Sequence, residues 1–112
     1  MNLRSQLLKG ILEGCILAII KQGPTYGYEL SVKLNEFGLT NISEGSIYPI
    51  LLRLQREKFI EGKMKPSPAG PKRKYYYLTS AGMDALSRFH KHWDNIKNPV
   101  DMIMKGDKQD GA

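Results

Sequence analysis

The sequence has little of what marks enzymes, secreted scaffolds or membrane proteins. It holds one cysteine, Cys15, so no internal disulfide forms, and a reducing, cytoplasmic setting is expected. Long apolar runs are also lacking. The longest, Cys15 to Ile20, falls far short of the roughly 20 residues that cross a bilayer. Lys9 and Glu13 break any signal-peptide core, and no membrane partner is expected. The two histidines, His90 and His92, stand two apart and point to different sides of a helix, so no metal site is expected. No paired carboxylates, nucleophile–base arrangement or phosphate-cradling glycine loop occurs, so neither enzymatic activity nor a cofactor is expected. What is present is 41% hydrophobic residues in 112, too apolar for a disordered tail and enough for one compact domain, not two.

Charge is present in one place. The net charge is +6, but residues 59–79 alone carry +4, with Lys63, Lys65, Lys72, Arg73 and Lys74 against Glu61. Residues 80–112 balance to zero. A run of charge is commonly just a solvated surface. Clustered Lys and Arg on a small domain are also the electrostatic footprint of a nucleic-acid contact. Context decides between the two.

Periodicity supplies that context. Leu8, Ile11, Leu12, Cys15, Ile16 and Ile19 predict a first helix, widened by Leu17 and Ile20 to an apolar surface that a second copy of the chain could help cover. Gly23-Pro24 stops it, and Thr25 is the expected cap of a second helix carrying Tyr26, Leu30, Leu34 and Phe37, closed by Gly38. A third helix buries Ile47, Ile50, Leu51 and Leu54. Ser43 caps it if Pro49 kinks its first turns; Ser46 caps it if the regular part starts later. Phe59 to Lys65 and Lys74 to Thr79 have strand character, joined by a proline-rich loop over residues 66–71. From a cap at Thr79 or Ser80, a last helix carries Leu86, Phe89, Trp93, Ile96, Val100 and Ile103 at alternating three- and four-residue spacing, a heptad seam. Asn98-Pro99 is expected to kink it and begin a fresh turn reaching about Lys105, with a mobile tail from Gly106.

Three helices, a basic hairpin and a long helix make a mainly α fold with a small β-hairpin: a winged helix-turn-helix over residues 1–79 and a dimerisation helix over residues 80–105 of the same compact unit. In that layout the third helix enters the major groove and the hairpin reaches the backbone. Helical angles put Gly45, Pro49, Leu52, Arg53 and Arg56 opposite the core face of this helix, with Ser46 and Tyr48 at its sides. Gly45 leaves backbone N–H groups open to a phosphate at the helix N-terminus. Leu52 either touches a thymine methyl or packs through a shift of the helix.

At this point the residues carry a family resemblance. Pro24-Thr25-Tyr26-Gly27-Tyr28-Glu29-Leu30, Glu44-Gly45-Ser46-Ile47-Tyr48-Pro49, Arg53-Leu54 and Arg73-Lys74-Tyr75-Tyr76-Tyr77-Leu78-Thr79 together resemble the PadR family of bacterial transcriptional regulators, from about Leu7 to Leu86. The short length resembles the compact branch with one C-terminal helix. There the first and last helices form a homodimer, and some members hold flat aromatic compounds between paired tryptophans at its centre; Trp93 falls at the corresponding place. The resemblance implies DNA contact by Ser43, Gly45, Ser46, Tyr48, Pro49, Arg53, Arg56, Lys72, Arg73 and Lys74, and an effector site of Trp93, Phe89, Ile96 and Cys15. The wing departs from the family's frequent Gly-Arg-Pro-Arg-Lys: it reads Gly70-Pro71-Lys72-Arg73-Lys74, so no arginine carries over to position 71.

Each sharp reading has a plainer rival. Tyr26 and Tyr28 are read as packing the second helix on the third, and Tyr48 as either packing or contacting DNA. Arg73 and Lys74, adjacent on a strand, point to opposite faces, so one of them can be structural. Trp93 is either interface core or a ligand shelf. Cys15 alone reads as a small core residue rather than a redox sensor. The expected function is that of a homodimeric repressor on an inverted-repeat operator in double-stranded DNA, released by a planar aromatic molecule. The competing class is a winged helix that binds protein, or nucleic acid without sequence preference.

Overall fold

The computed structural model describes residues 3–106, and within them five helices and three strands. The expected tail beyond Gly106 lies outside the described residues. Where periodicity predicts one first helix there are two, α1 (Leu3–Leu8) and α2 (Ile11–Gln22). The break is Gly10, whose φ of +89° lies in the region that glycine tolerates and side chains resist. Leu12, Ile16, Leu17, Ile19 and Ile20 of α2 are all buried, and α1, α3, α5 and the sheet cover them from within the chain.

Thr25 does not cap a helix. It is buried and begins a two-residue strand, β1 (Thr25–Tyr26), with its hydroxyl donating to the Gly23 carbonyl at 2.8 Å. Tyr26 holds the cap position of α3 (Gly27–Glu36) without a side-chain bond. Leu30 and Leu34 are buried as the spacing predicts, but Phe37 is 74% exposed, because the helix has ended and the chain turns away. Gly38, at φ +109°, closes α3: its N–H reaches the Asn35 carbonyl and that of Leu39 the Leu34 carbonyl, each at 3.0 Å. Asn35 then fastens the turn into the next helix. Its amide donates to the Ser31 and Ile42 carbonyls and its oxygen accepts from the Asn41 N–H.

Helix α4 (Glu44–Arg56) starts at Ser43, whose hydroxyl accepts from the Ser46 N–H, so the later start at Ser46 is not taken. Pro49 is accommodated inside the helix. Its missing donor leaves the Gly45 carbonyl without its helical partner on an exposed side, where water can replace it. Lys58 takes the left-handed position after α4, at φ +63°, with its N–H on the Gln55 carbonyl and that of Phe59 on the Leu54 carbonyl. A Cβ costs energy in that conformation. Lys58→Gly is therefore expected to raise stability by about 0.5–1 kcal/mol, after discounting glycine's extra unfolded-state entropy, as read by urea denaturation.

Strands β2 (Ile60–Ser67) and β3 (Gly70–Leu78) run through what reads in sequence as a six-residue loop, leaving only Pro68 and Ala69 between them. Pairing is regular from Ile60–Leu78 to Lys65–Arg73, then shifts before Ser67–Gly70. Pro66 and Pro71 both sit at that irregularity, where a missing N–H breaks no ladder bond. β1 adds to the other edge of β3, giving an antiparallel order β1-β3-β2.

Helix α5 (Ser80–Lys105) is continuous through Pro99; no fresh start at Asn98 occurs. Thr79 is its cap: the hydroxyl accepts from the Gly82 N–H at 3.0 Å and donates to the Lys58 carbonyl at 2.7 Å. The core gathers Ile16, Leu30, Leu34, Ile47, Leu51, Leu54, Ile60 and Tyr76 between α2, α3, α4 and one face of the sheet. Along α5 only Leu86 of the expected seam is buried there. Phe89 still packs on α2; beyond it the helix projects, and the molecule measures 62 × 29 × 22 Å.

Candidate nucleic-acid interface

Helices α3 and α4, joined by the Asn35-braced turn, set the outward face of α4 beside the wing. Gly45, Ser46, Tyr48, Pro49, Leu52, Arg53 and Arg56 are all exposed on α4, and Leu52 is 62% exposed, so the chain itself does not pack it away. Gly45 has open space about it; its nearest neighbour, were a Cβ present, is the Ser43 hydroxyl at 3.8 Å. Ser43 is already engaged in capping.

Between the first turns of α3 and α4 and strand β3 lies an open cleft of about 370 Å³. Tyr26, Tyr28, Tyr48 and Tyr76 line it together with Lys72, Arg73 and Lys74. The one carboxylate in it, Glu44, accepts the Tyr48 hydroxyl at 3.0 Å, and this bond pushes the Tyr48 phenol above its ordinary pKa. The Tyr48 ring lies against Gly27, where an added Cβ would stand 3.2 Å from it. Lys72 and Arg73 beside tyrosine side chains at a helix N-terminus suit an anion such as a backbone phosphate.

The cations are held differently. Lys72 is exposed. Arg73 is half-buried, its guanidinium 4.5 Å from the centre of the Tyr26 ring, which in turn meets Tyr75 edge-on. Lys74 turns to the other face, reaching the Gln55 side chain at 3.3 Å and lying over Tyr76. Strand alternation thus separates the pair as expected. Tyr26 packs, but Tyr28 is 57% exposed at the cleft mouth and does not hold the helices together. On the outer sheet face Lys63 and Lys65 lie over Tyr77, and Lys65 also over Tyr75; alternation of the triple tyrosine was the available signal for this pairing.

Arg53 is the least expected placement. Its guanidinium is ion-paired with Glu13 of α2, which keeps it still more firmly protonated than usual. No local pattern links residues so far apart in sequence.

The expected effector residues are partly assembled. Phe89 lies so close to α2 that a Cβ on Gly14 would overlap its ring, and the half-buried Cys15 packs on the core with its thiol pKa raised by burial. Trp93 and Ile96 follow along α5, 36% and 56% exposed. His90 turns to Asp94 at 3.6 Å. Among the described residues no group of three or more His, Cys, Asp or Glu stands close enough to hold a metal, and no helix is long and apolar enough to cross a membrane.

Comparison with known proteins decides what carries this geometry. The sequence profile of the Transcriptional regulator PadR-like family matches residues 16–88. The chain belongs to the PadR-like family. A crystal structure of a PadR-like transcriptional regulator from Bacillus cereus is 55% identical, covering 91% of this chain and 99% of its own, with a TM-score of 0.81. A transcriptional regulator from Streptococcus is 46% identical over 88% of this chain and 97% of its own, at a TM-score of 0.78. An uncharacterised protein of Lysinibacillus sphaericus is 36% identical over 107 residues, 92% of this chain and 96% of its own. As a PadR-like regulator the chain is a DNA-binding transcription factor of winged-helix fold and not an enzyme.

Proposed function

We propose that this PadR-like regulator is a homodimeric repressor that binds an inverted-repeat operator in duplex DNA and is released by a planar aromatic effector. The observation that carries the reading is the cationic, phenol-lined cleft between the N-terminus of α4 and β3. In this reading α4 enters the major groove. Gly45, Ser46 and Tyr48 meet backbone phosphate, Pro49 and Leu52 contact base edges or thymine methyls, and Arg53 and Arg56 extend the contact along the helix. Lys72 and Arg73 hold the flanking backbone, while Lys74 and Ser43 support the site from within.

Residues 80–105 form the dimerisation helix. Support comes from Trp93, Ile96, Val100 and Ile103, an apolar stripe that the chain leaves uncovered. A two-fold pairing of such helices sets two reading heads on two half-sites. The effector would sit where Trp93 and Ile96 of the pair meet Phe89 and Cys15, and would act by binding the DNA-competent arrangement less well than another, so DNA weakens effector binding by the same factor.

Selection of bound sequences from random duplex DNA tests the core of this reading. A recovered inverted repeat is expected; binding with a steep salt dependence and no recovered motif would instead mean non-specific attachment. Quenching of Trp93 fluorescence by planar aromatic compounds tests the effector separately. A flat response across a panel removes the effector and leaves the DNA reading intact.

A further inference from the structure

Of the two ion pairs found among the described residues, one lies within α5 and the other, Arg53–Glu13, joins the reading helix to α2. A carboxylate offers a guanidinium the same pair of acceptor oxygens that a DNA phosphate offers. We propose that Glu13 is an internal competitor for Arg53, holding its guanidinium in the free protein and yielding it to a backbone phosphate when DNA binds. The inference rests on the DNA-binding reading of α4.

The two partners are anchored unequally. Glu13 stands between Leu12 and Gly14, both buried, so its backbone is fixed in the packed part of α2. Arg53 lies on the exposed side of α4 at the end of a long flexible stem, with 47% of its side chain open to solvent against 26% for Glu13. Exchange of partners therefore moves the arginine and not the carboxylate. Such half-exposed pairs are weak enough to be displaced by a polyanion. The vacated carboxylate is also not left stranded, because Arg88 and His92 of α5 line the same groove beside Phe89. Arg56, exposed one turn further on α4, faces no such competitor among these groups and serves as the control.

The test is a double-mutant cycle on the full chain, with affinity for the selected duplex measured by fluorescence anisotropy over a salt series. Glu13→Gln is expected to tighten binding up to about fivefold per subunit, the range a half-exposed pair allows, and to leave the salt slope nearly unchanged, because Arg53 reaches the same phosphate in both complexes. Glu13→Ala, which cannot accept a bond at all, should do the same. In an Arg53→Gln background the gain should vanish, while in an Arg56→Gln background it should persist. An equal gain with and without Arg53 would overturn the proposal, since removing one negative charge near DNA would then explain everything. No gain in the wild-type background would overturn it too. Failure of the wild-type chain to bind any duplex is a different result and overturns the DNA reading beneath it.

Discussion

Ile96→Glu together with Val100→Glu is expected to make the protein monomeric and to weaken operator binding by more than about 100-fold. Both side chains lie on the projecting part of α5, roughly half exposed and away from the core, so the reading head should keep its melting behaviour. In the proposed dimer they are buried, and two carboxylates per helix facing their own copies would stay charged only at a cost that apolar packing cannot offset. Without the pairing, each head meets its half-site alone and loses the effective concentration that its partner supplies. Sedimentation equilibrium reads the first effect and anisotropy on the intact inverted repeat the second. The salt dependence should fall toward half its original slope. A variant that stays dimeric and binds normally would show that α5 is not the interface.

Gly82→Ala is the largest stability effect expected within one chain, about 2–4 kcal/mol. A Cβ at this position would overlap the Phe59 carbonyl oxygen and come within 2.7 Å of a Leu78 methyl. The carbonyl is backbone; it already accepts from the Thr79 N–H at 3.1 Å and shares the one Thr79 hydroxyl proton with the Lys58 carbonyl. It cannot yield without loosening both the wing exit and the cap of α5. Gly45→Ala is the natural comparison, since space there is open and alanine favours a helix; it should leave stability unchanged or slightly raised. Chemical denaturation of the two variants beside the wild type distinguishes a specific collision at residue 82 from a general intolerance of helical substitution.

Most of the fold was legible because local chemistry and tertiary packing agree. Ser43, Gly38 and Thr79 mark helix ends by mechanisms that operate over three or four residues, and each acts where its type predicts. Leu30, Leu34, Ile47, Leu51 and Leu54 are buried with the period their spacing implies. What sequence could not show depends on distant partners. Thr25-Tyr26 is too short to display a strand period and becomes β1 only because Tyr75 and Tyr76 stand ready to pair with it. Pro66 and Pro71 look like loop residues until the register shift that tolerates them is known. The outward arginines were identifiable from helical angles, but not that Glu13 of α2 occupies one of them. Likewise the apolar stripe of α5 was readable as a seam, whereas the point at which it leaves the body of the protein, just past Phe89, is a property of the assembled molecule.

The single hydroxyl of Thr79 has a mechanical consequence. It bonds at once to the Lys58 carbonyl in the turn just past the reading helix and to the first turn of α5, so the base of the long helix is clamped to the head rather than hinged. Twenty-six residues at about 1.5 Å each make α5 an arm of roughly 40 Å. A rocking of only about 3° at the far end of such a stiff arm shifts the head by about 2 Å, several times the roughly 0.5 Å window within which base-edge hydrogen bonds form. In the proposed dimer, a small change of angle where the two arms cross would thus be magnified into loss or gain of register on the operator.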